Sequence, residues 1–406
     1  MTQQKALFIQ ELKGEWKVST KAIPKAKPGE LVVKVEATAL NPIDWKVHDI
    51  DYFVNFVQEY PAILGSDSAG TVEEVGEGVK GFSKGDRVLH QGYFTNDTAT
   101  FQQYTSVPAS IVAKIPSNVT TNQAASIPVG AATAVIGLYS DKDRKQGAKV
   151  YTVPWTDTGK NAHKGESIVI FGGSSSVGQS VIQFAKLSGF SPIIVTASLH
   201  NTDLLKSLGA THVVDRSVSD VPAEIRKALG GSTTSLIFDT ISLEETQTQA
   251  WSLLAHSGTL IITLQPQVDD TAEGETRNLV HVFGSVHTPE SRPLGEDLYS
   301  NLTSLLENGS IKTNLVEVLP NGLSGIPDGL ERLKQNKVSG LEPCCCEGTH
   351  VVVDFLQVDV KADEEVRSAL FIQGSFYILN CPQLGRKVHQ SSPCTPLKPS
   401  PIEALL

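Results

Sequence analysis

Residues 1 to 343 contain no cysteine; the five of the chain are Cys344, Cys345, Cys346, Cys381 and Cys394. The body of the chain therefore forms neither a disulfide nor a thiolate-held metal site among its own side chains. The ten histidines of the whole chain show no HxxxH or HxH spacing, which removes the usual frames for an all-histidine site. Long apolar runs are missing as well. Those such as Ile168 to Phe171 and Leu260 to Ile262 fall far short of a bilayer span, and Met1 to Gln10 alternates polar and apolar residues without the apolar core of a secretory signal. Basic charge is scarce: 34 Lys and Arg face 44 Asp and Glu, a net charge of −10 with no Lys/Arg block, so phosphate backbones and anionic lipids are repelled. These absences lead us to expect a cytoplasmic protein with neither a nucleic acid nor a membrane as partner.

What is present is enough apolar residue to build cores. Hydrophobic residues make up 40% of the 406 and charged residues 19%, and at roughly 150 residues per domain the chain holds two or three. From Glu30 to Leu40, apolar residues recur with period two, which predicts a half-buried strand. Ser68 to Gln91 follows as short β-like runs broken by Gly76, Gly78, Gly81 and Gly85-Asp86, the pattern of a small, tightly turned β domain.

The rhythm changes after Pro128. A helix-like stretch, Gly130 to Tyr139, leads into a polar, Lys-rich connection from Asp141 to Gly165. Strands are then predicted near 167–173, 192–198, 212–215, 236–241 and 258–263, with helices near 177–189, 201–208, 221–229 and 244–255 between them. Such alternation implies an α/β fold with a doubly wound parallel sheet and a ligand at the strand C-termini.

Chemistry is first suggested at Ser167 to Gly189, where a buried strand ends at Gly172-Gly173 and Val177, Val181, Phe184 and Ala185 repeat at helical spacing. Gly173, Ser174, Ser175, Ser176, Val177 and Gly178 form the strand-to-helix turn, suited to a dinucleotide diphosphate at a helix N-terminus. The GxGxxG fingerprint is incomplete, because Ser175 replaces its middle glycine. At the end of the next strand, Ser198, Leu199, His200 and Asn201 include no carboxylate, whereas an acidic residue there would hold the ribose hydroxyls of NAD. Hydroxyl, imidazole and amide groups donate to a 2′-phosphate, so NADP(H) is the expected cofactor, although these residues also suit a helix cap. Lys46, in Asn41-Pro-Ile-Asp-Trp-Lys46, is a candidate to reach a cofactor ribose or a polarised carbonyl, or is a solvated lysine at a helix start. Thr133 offers a hydroxyl to cofactor or substrate, against a bland alternative in which it bonds the carbonyl one turn earlier. A hydrolase elbow is absent, since GGSSS lacks the second glycine of GxSxG.

NPIDWK (Asn41 to Lys46), GTVEEVGEGVKGFSKGDRV (Gly70 to Val88), GGSSSVG (Gly172 to Gly178) and SLHN (Ser198 to Asn201), in this order, resemble the medium-chain dehydrogenase/reductase superfamily. Within it the chain is similar to fungal zinc-free, toxin-cluster-type oxidoreductases and trans-acting enoyl reductases, over about residues 5 to 341. The resemblance implies a GroES-like β-rich catalytic domain at 1–128, to which the chain returns at about 287–341, and a Rossmann NADP-binding domain at 129–286. It implies cofactor contacts from Asp44, Trp45, Lys46 and Val47, from the glycine turn, from Ser198 to Asn201, from Arg216, where relatives usually carry Tyr, and from Thr263 and Leu264. An acyl pocket would be lined by Gly130, Ala131, Ala132, Thr133, Ala134, Val135, Ile136 and Gly137, and by Phe283, Gly284, Ser285, Val286 and His287. Zinc-dependent relatives place a Cys near Ile43-Asp44 and a His where this chain has Ser66, so the resemblance implies a metal-free member.

The activity implied is NADPH-dependent reduction of a C=C bond conjugated to a carbonyl, on a small-molecule or carrier-tethered enoyl substrate, with a polyketide synthase as the implied partner. Lys46 and Thr133 are candidates for stabilising the enolate oxygen, with backbone amides as rivals, and Tyr52 is a candidate proton donor. A quinone or alkenal reductase, and a non-catalytic cofactor-binding scaffold, stay open, as do monomer and homodimer. Residues 342–406 depart from the family: four prolines in SSPCTPLKPSP suit an extended or disordered end. One explanation is a gene-model error, such as an unspliced intron or a shifted frame; another is that Thr349 to Val360 supplies a substitute closing strand.

Overall fold

The computed structural model describes residues 2–50, 55–142, 144–145, 148–338 and 350–353. Beta structure dominates the first part. The strand Glu30–Leu40 matches its period-two expectation and pairs antiparallel with both Asp67–Val75 and Tyr104–Pro108. Arg87–Gln91 and Val112–Lys114 extend this sheet. Gly70 is required where these strands meet, because a Cβ there would overlap the carbonyl oxygen of Lys34. A smaller sheet holds Gln3–Ile9 between Trp16–Ala22 and Ala62–Ile63.

The predicted alternation appears as a six-stranded sheet in the spatial order His212–Asp215, Ile193–Ala197, Ile168–Phe171, Thr234–Asp239, Leu254–Ile262, Asn278–His281. Every neighbouring pair is parallel. Ile168, Val169, Ile170 and Phe171 are all buried because helices cover both faces of the sheet. The helix Ser176–Ser188 ends at Gly189, whose φ of +87° supplies the left-handed terminus.

Described residues of the connection from Asp141 to Gly165 are pinned to their surroundings. Arg144 donates to the carbonyls of Gly137, Leu138 and Ser140, closing the C-terminal end of the helix Pro128–Tyr139. Trp155 packs on Tyr139 and Phe184 and donates to Asp297 Oδ2 at 2.9 Å.

Beyond the Rossmann-like sheet the chain rejoins the first core. Leu319, Ile326, Leu330 and Leu333 pack with Leu7, Leu40 and Ile63, and Glu317–Leu319 enters the large, mostly antiparallel sheet. The place of a closing strand is taken by His350–Val353, parallel to Glu30–Leu40 and antiparallel to Glu317–Leu319. The remainder of the expected strand, and the tail after it, lie outside the described residues.

Candidate active site

Strand register brings the candidate cofactor residues together. Phe171 pairs with Thr196 and Asp239, Ala197 with Asp215, and Ile262 with Asp239 and His281, so all six strands end along one edge. From that edge project Gly172 to Ser176, Ser198 to Asn201, Arg216, Thr240 to Ser242, Thr263-Leu264 and Val282 to His287. A crevice at this edge is where an open parallel sheet binds ligand.

The glycine turn is built for close approach. Gly172 has φ +76°, and a Cβ on Gly178 would overlap the carbonyl oxygen of Gly172, so the helix start sits directly on the strand end. Gly172 and Gly173 donate to Thr196, Ser175 donates to the Gly172 carbonyl, and Gly178 donates to Ser175 Oγ at 2.9 Å. Among the described residues, the amides of Ser174 and Val177 carry no internal hydrogen bond, leaving donors at a helix N-terminus. Ser176 is bridged by Asn314 Nδ2 (2.8 Å), which also donates to the carbonyl of Ser126 (3.1 Å).

Ser198 to Asn201 forms a half-exposed turn with a short 3-10 segment, Leu199–Asn201. Arg216 reaches back to it: its Nε donates to Ser198 Oγ at 2.9 Å and its amide to the Ala197 carbonyl at 3.1 Å. At the other end of the crevice the Thr263 amide donates to Ser242 Oγ at 2.8 Å, and Leu264 beside it is half-buried. Ser242 holds a left-handed backbone, φ +56°, with its hydroxyl donating to the Asp239 carbonyl. Asp239 is buried, accepts from Ile241, Ser242 and Thr246, and is pushed up to about 6 chiefly by desolvation.

The segment Asn41 to Lys46 forms the start of the helix Pro42–Asp49. Asp44 caps that helix by accepting from the Asn41 amide (2.8 Å), and also accepts from Ser66 Oγ (3.2 Å). Complete burial pushes Asp44 up to about 7. Asn41 Nδ2 donates to Asp67 Oδ2 (2.9 Å), while Asp67 Oδ1 accepts from the Val129 amide (2.7 Å) at the start of the helix Pro128–Tyr139. Val47 is buried; Trp45 and Lys46 are half-buried. Lys46 Nζ lies 5.7 Å from the centre of the Trp45 ring, has no carboxylate partner among the described residues, and is lowered by burial to about 8.

Thr133 takes the bland course in part. Its hydroxyl donates to the Val129 carbonyl at 2.7 Å, and a Cβ on Gly284 would overlap its Oγ1, so the loop from Val282 to His287 rests on it. Of its neighbours, Ala131, Ala132, Ala134, Val135 and Ile136 lie in the main core, while Gly130 abuts Ser176 and Gly137 abuts Phe238. Gln91 latches the loop after the last parallel strand: its Nε2 donates to the Gly284 carbonyl (2.7 Å) and its Oε1 accepts from the Val286 amide (2.9 Å). Ser285 is buried, and His287 Nε2 donates to the Gln91 carbonyl at 2.9 Å, desolvation lowering this imidazole to about 4. Phe283 stacks on Phe56 at 5.2 Å, and the ring series runs on through Phe94 and Tyr93 to His287. Tyr52 lies outside the described residues.

Sequence reasoning missed Gln91, Thr240, Ser242 and Asn314. Thr240 and Ser242 were within reach, because they lie at and just beyond the end of the strand predicted near 236–241; Gln91 and Asn314 act across the fold and carry no local signal.

With this geometry in place, the class is defined: an oxidoreductase of the medium-chain dehydrogenase/reductase superfamily, to which this chain belongs. Residues 27–117 match the alcohol dehydrogenase GroES-like domain and residues 176–286 the family described as zinc-binding dehydrogenase. Nearer at hand, the chain is 33% identical over 316 residues to the trans-enoyl reductase himH of Aspergillus japonicus, covering 75% of this chain and 86% of that one. It is 32% identical over 360 residues to the trans-enoyl reductase ACTTS2 of Alternaria alternata, covering 84% and 98%. A mycobacterial structure in complex with NADPH shares the fold, with a TM-score of 0.66 at 22% identity, covering 86% of this chain and 99% of that one.

The family implies a nicotinamide cofactor, and the residues fit one: unengaged amides at a helix N-terminus beside glycines that leave no room for a Cβ. The zinc in the second family description does not fit. Ser66 and Asn41, at and beside the expected ligand positions, already donate to Asp44 and Asp67, and no group of three His, Cys, Asp or Glu among the described residues is placed to hold a metal. Among the described residues, no helix is long and apolar enough to cross a membrane.

Proposed function

We propose that this chain is an NADPH-dependent reductase of C=C bonds conjugated to a carbonyl, acting on an enoyl thioester presented by a polyketide synthase. The observation that carries the cofactor reading is the Arg216–Ser198 pair. A guanidinium and a hydroxyl, with no carboxylate in the Ser198 to Asn201 turn, suit a 2′-phosphate and repel nothing it carries. Similarity to two trans-enoyl reductases over most of their length supports the reaction.

The nicotinamide supplies hydride to the β-carbon, and the protein's task is to hold the negative oxygen that develops. Removing one preorganised donor to such an oxygen typically costs about 3 kcal/mol. Lys46 is the candidate donor: its ammonium is half-buried, without a carboxylate partner among the described residues, and charged below about pH 8. Thr133 contributes by position, because its proton is directed to Val129 and its oxygen supports Gly284. A quinone acceptor is the second reading, favoured by the ring series from Phe283 to Tyr93.

The test is oxidation of NADPH and NADH against 2-enoyl thioesters, quinones and aldehydes. The proposal expects NADPH with enoyl thioesters to be the fastest combination. NADH preferred over NADPH would overturn the cofactor reading, and quinones turned over while enoyl thioesters are not would replace the substrate reading.

A further inference from the structure

Ser175 stands where the dinucleotide fingerprint has its middle glycine, the position at which a bare backbone approaches the diphosphate. A side chain at this point obstructs that approach unless it turns away. Ser175 is fully buried and its hydroxyl turns inward, with Oγ accepting from the Gly178 amide at 2.9 Å and lying 2.9 Å from Thr240 Oγ1. Thr240 has one hydroxyl proton, and its Oγ1 lies 2.8 Å from the Phe171 carbonyl and 3.1 Å from that of Gly172. That proton is directed at the carbonyls, so Thr240 Oγ1 accepts from Ser175. The order of donation is therefore Gly178 amide to Ser175, Ser175 to Thr240, and Thr240 to the end of the first parallel strand.

We propose that Thr240 is a positioning residue for the dinucleotide: by accepting the Ser175 proton it holds the serine inward and keeps the turn open to the diphosphate. The inference rests on the cofactor site proposed above. Without the Thr240 oxygen, the Ser175 proton has no acceptor left among the described residues, only the bond from the Gly178 amide still holds the side chain inward, and the hydroxyl proton gains a partner by rotating toward the crevice. The role belongs to the Ser175–Thr240 pair and lapses where residue 175 is glycine.

The experiment is a double-mutant cycle on the full chain, reading the NADPH dissociation constant by fluorescence titration and the thermal midpoint in parallel. Thr240→Val is expected to weaken NADPH binding about tenfold, and Thr240→Ser to restore it to within about twofold of the parent. In a Ser175→Gly background, Thr240→Val should change NADPH binding less than about threefold, although the thermal midpoint falls in both backgrounds because the contacts to Phe171 and Gly172 are lost in both. An unchanged dissociation constant in Thr240→Val, or the same tenfold loss with glycine at 175, overturns the inference while the cofactor site stands. A parent chain that binds no nicotinamide dinucleotide overturns both.

Discussion

The glycine turn and the Asn41 to Lys46 segment are both helix starts closed by buried side-chain bonds, yet they differ in what they bury. The turn uses neutral groups: Ser175, Thr240, Thr196 and backbone amides. The other start buries two carboxyl groups, Asp44 and Asp67, tied by Asn41 and Ser66. Neutral closure is insensitive to pH and leaves amides for an anionic ligand; carboxyl closure fixes a helix beside Lys46 but makes its stability depend on protonation. The two halves of the proposed site therefore answer to different perturbations.

The sharpest break in the comparison is Gly178→Val, which drives a side chain into the Gly172 carbonyl. Overpacking of this kind costs about 1–3 kcal/mol in stability, and NADPH binding measured by titration should be lost altogether. Next is Lys46→Met, for which turnover should fall about a hundredfold while the NADPH dissociation constant changes little. In the parent, kcat/KM should decline above about pH 8 as the ammonium loses its proton. Lys46→Arg should move that decline to higher pH, because a guanidinium stays charged. A smaller effect is expected for Arg216→Ala: NADPH affinity reduced about tenfold and NADH affinity little altered, so that competition binding shows lost discrimination.

The smallest effect is a change of slope. Asp44 is held near 7 in the fold, above its ordinary carboxylate value, so between about pH 4 and 7 the unfolded chain releases a proton that the folded chain keeps. Its contribution to stability is therefore most favourable below that window and is lost as pH rises through it. In Asp44→Asn, denaturation midpoints across this window should fall less with rising pH, or rise more, than in the parent. Equal slopes in the two proteins would refute the burial account of Asp44.

The sheet was legible because its signals are local. Ile168–Phe171 and His212–Asp215 are short β-branched runs, and Ser176–Ser188 repeats apolar residues at helical spacing. The sixth strand, Asn278–His281, escaped notice because four residues carry no periodicity, and the helices Arg292–Glu307 and Ile326–Lys334 were likewise not foreseen. At the candidate site, the Gly173–Gly178 turn and Ser198 to Asn201 were singled out by position after strands. The bond between Arg216 and Ser198 follows from adjacent strand ends in register, which no single segment specifies. Lys46 was seen as a residue type; its lack of a carboxylate partner is a property of its surroundings. Thr133 shows the converse, since a suggestive hydroxyl proved to donate to its own helix.

The account stands or falls on where hydride goes. Reduction of a 2-enoyl thioester with NADPH deuterated at the transferable C4 position, followed by mass and NMR analysis of the product, reads this directly. Deuterium at the β-carbon, and none from NADH under the same conditions, is the predicted result. Product without deuterium, or no product from any enoyl thioester while NADPH binds the parent chain, would contradict it.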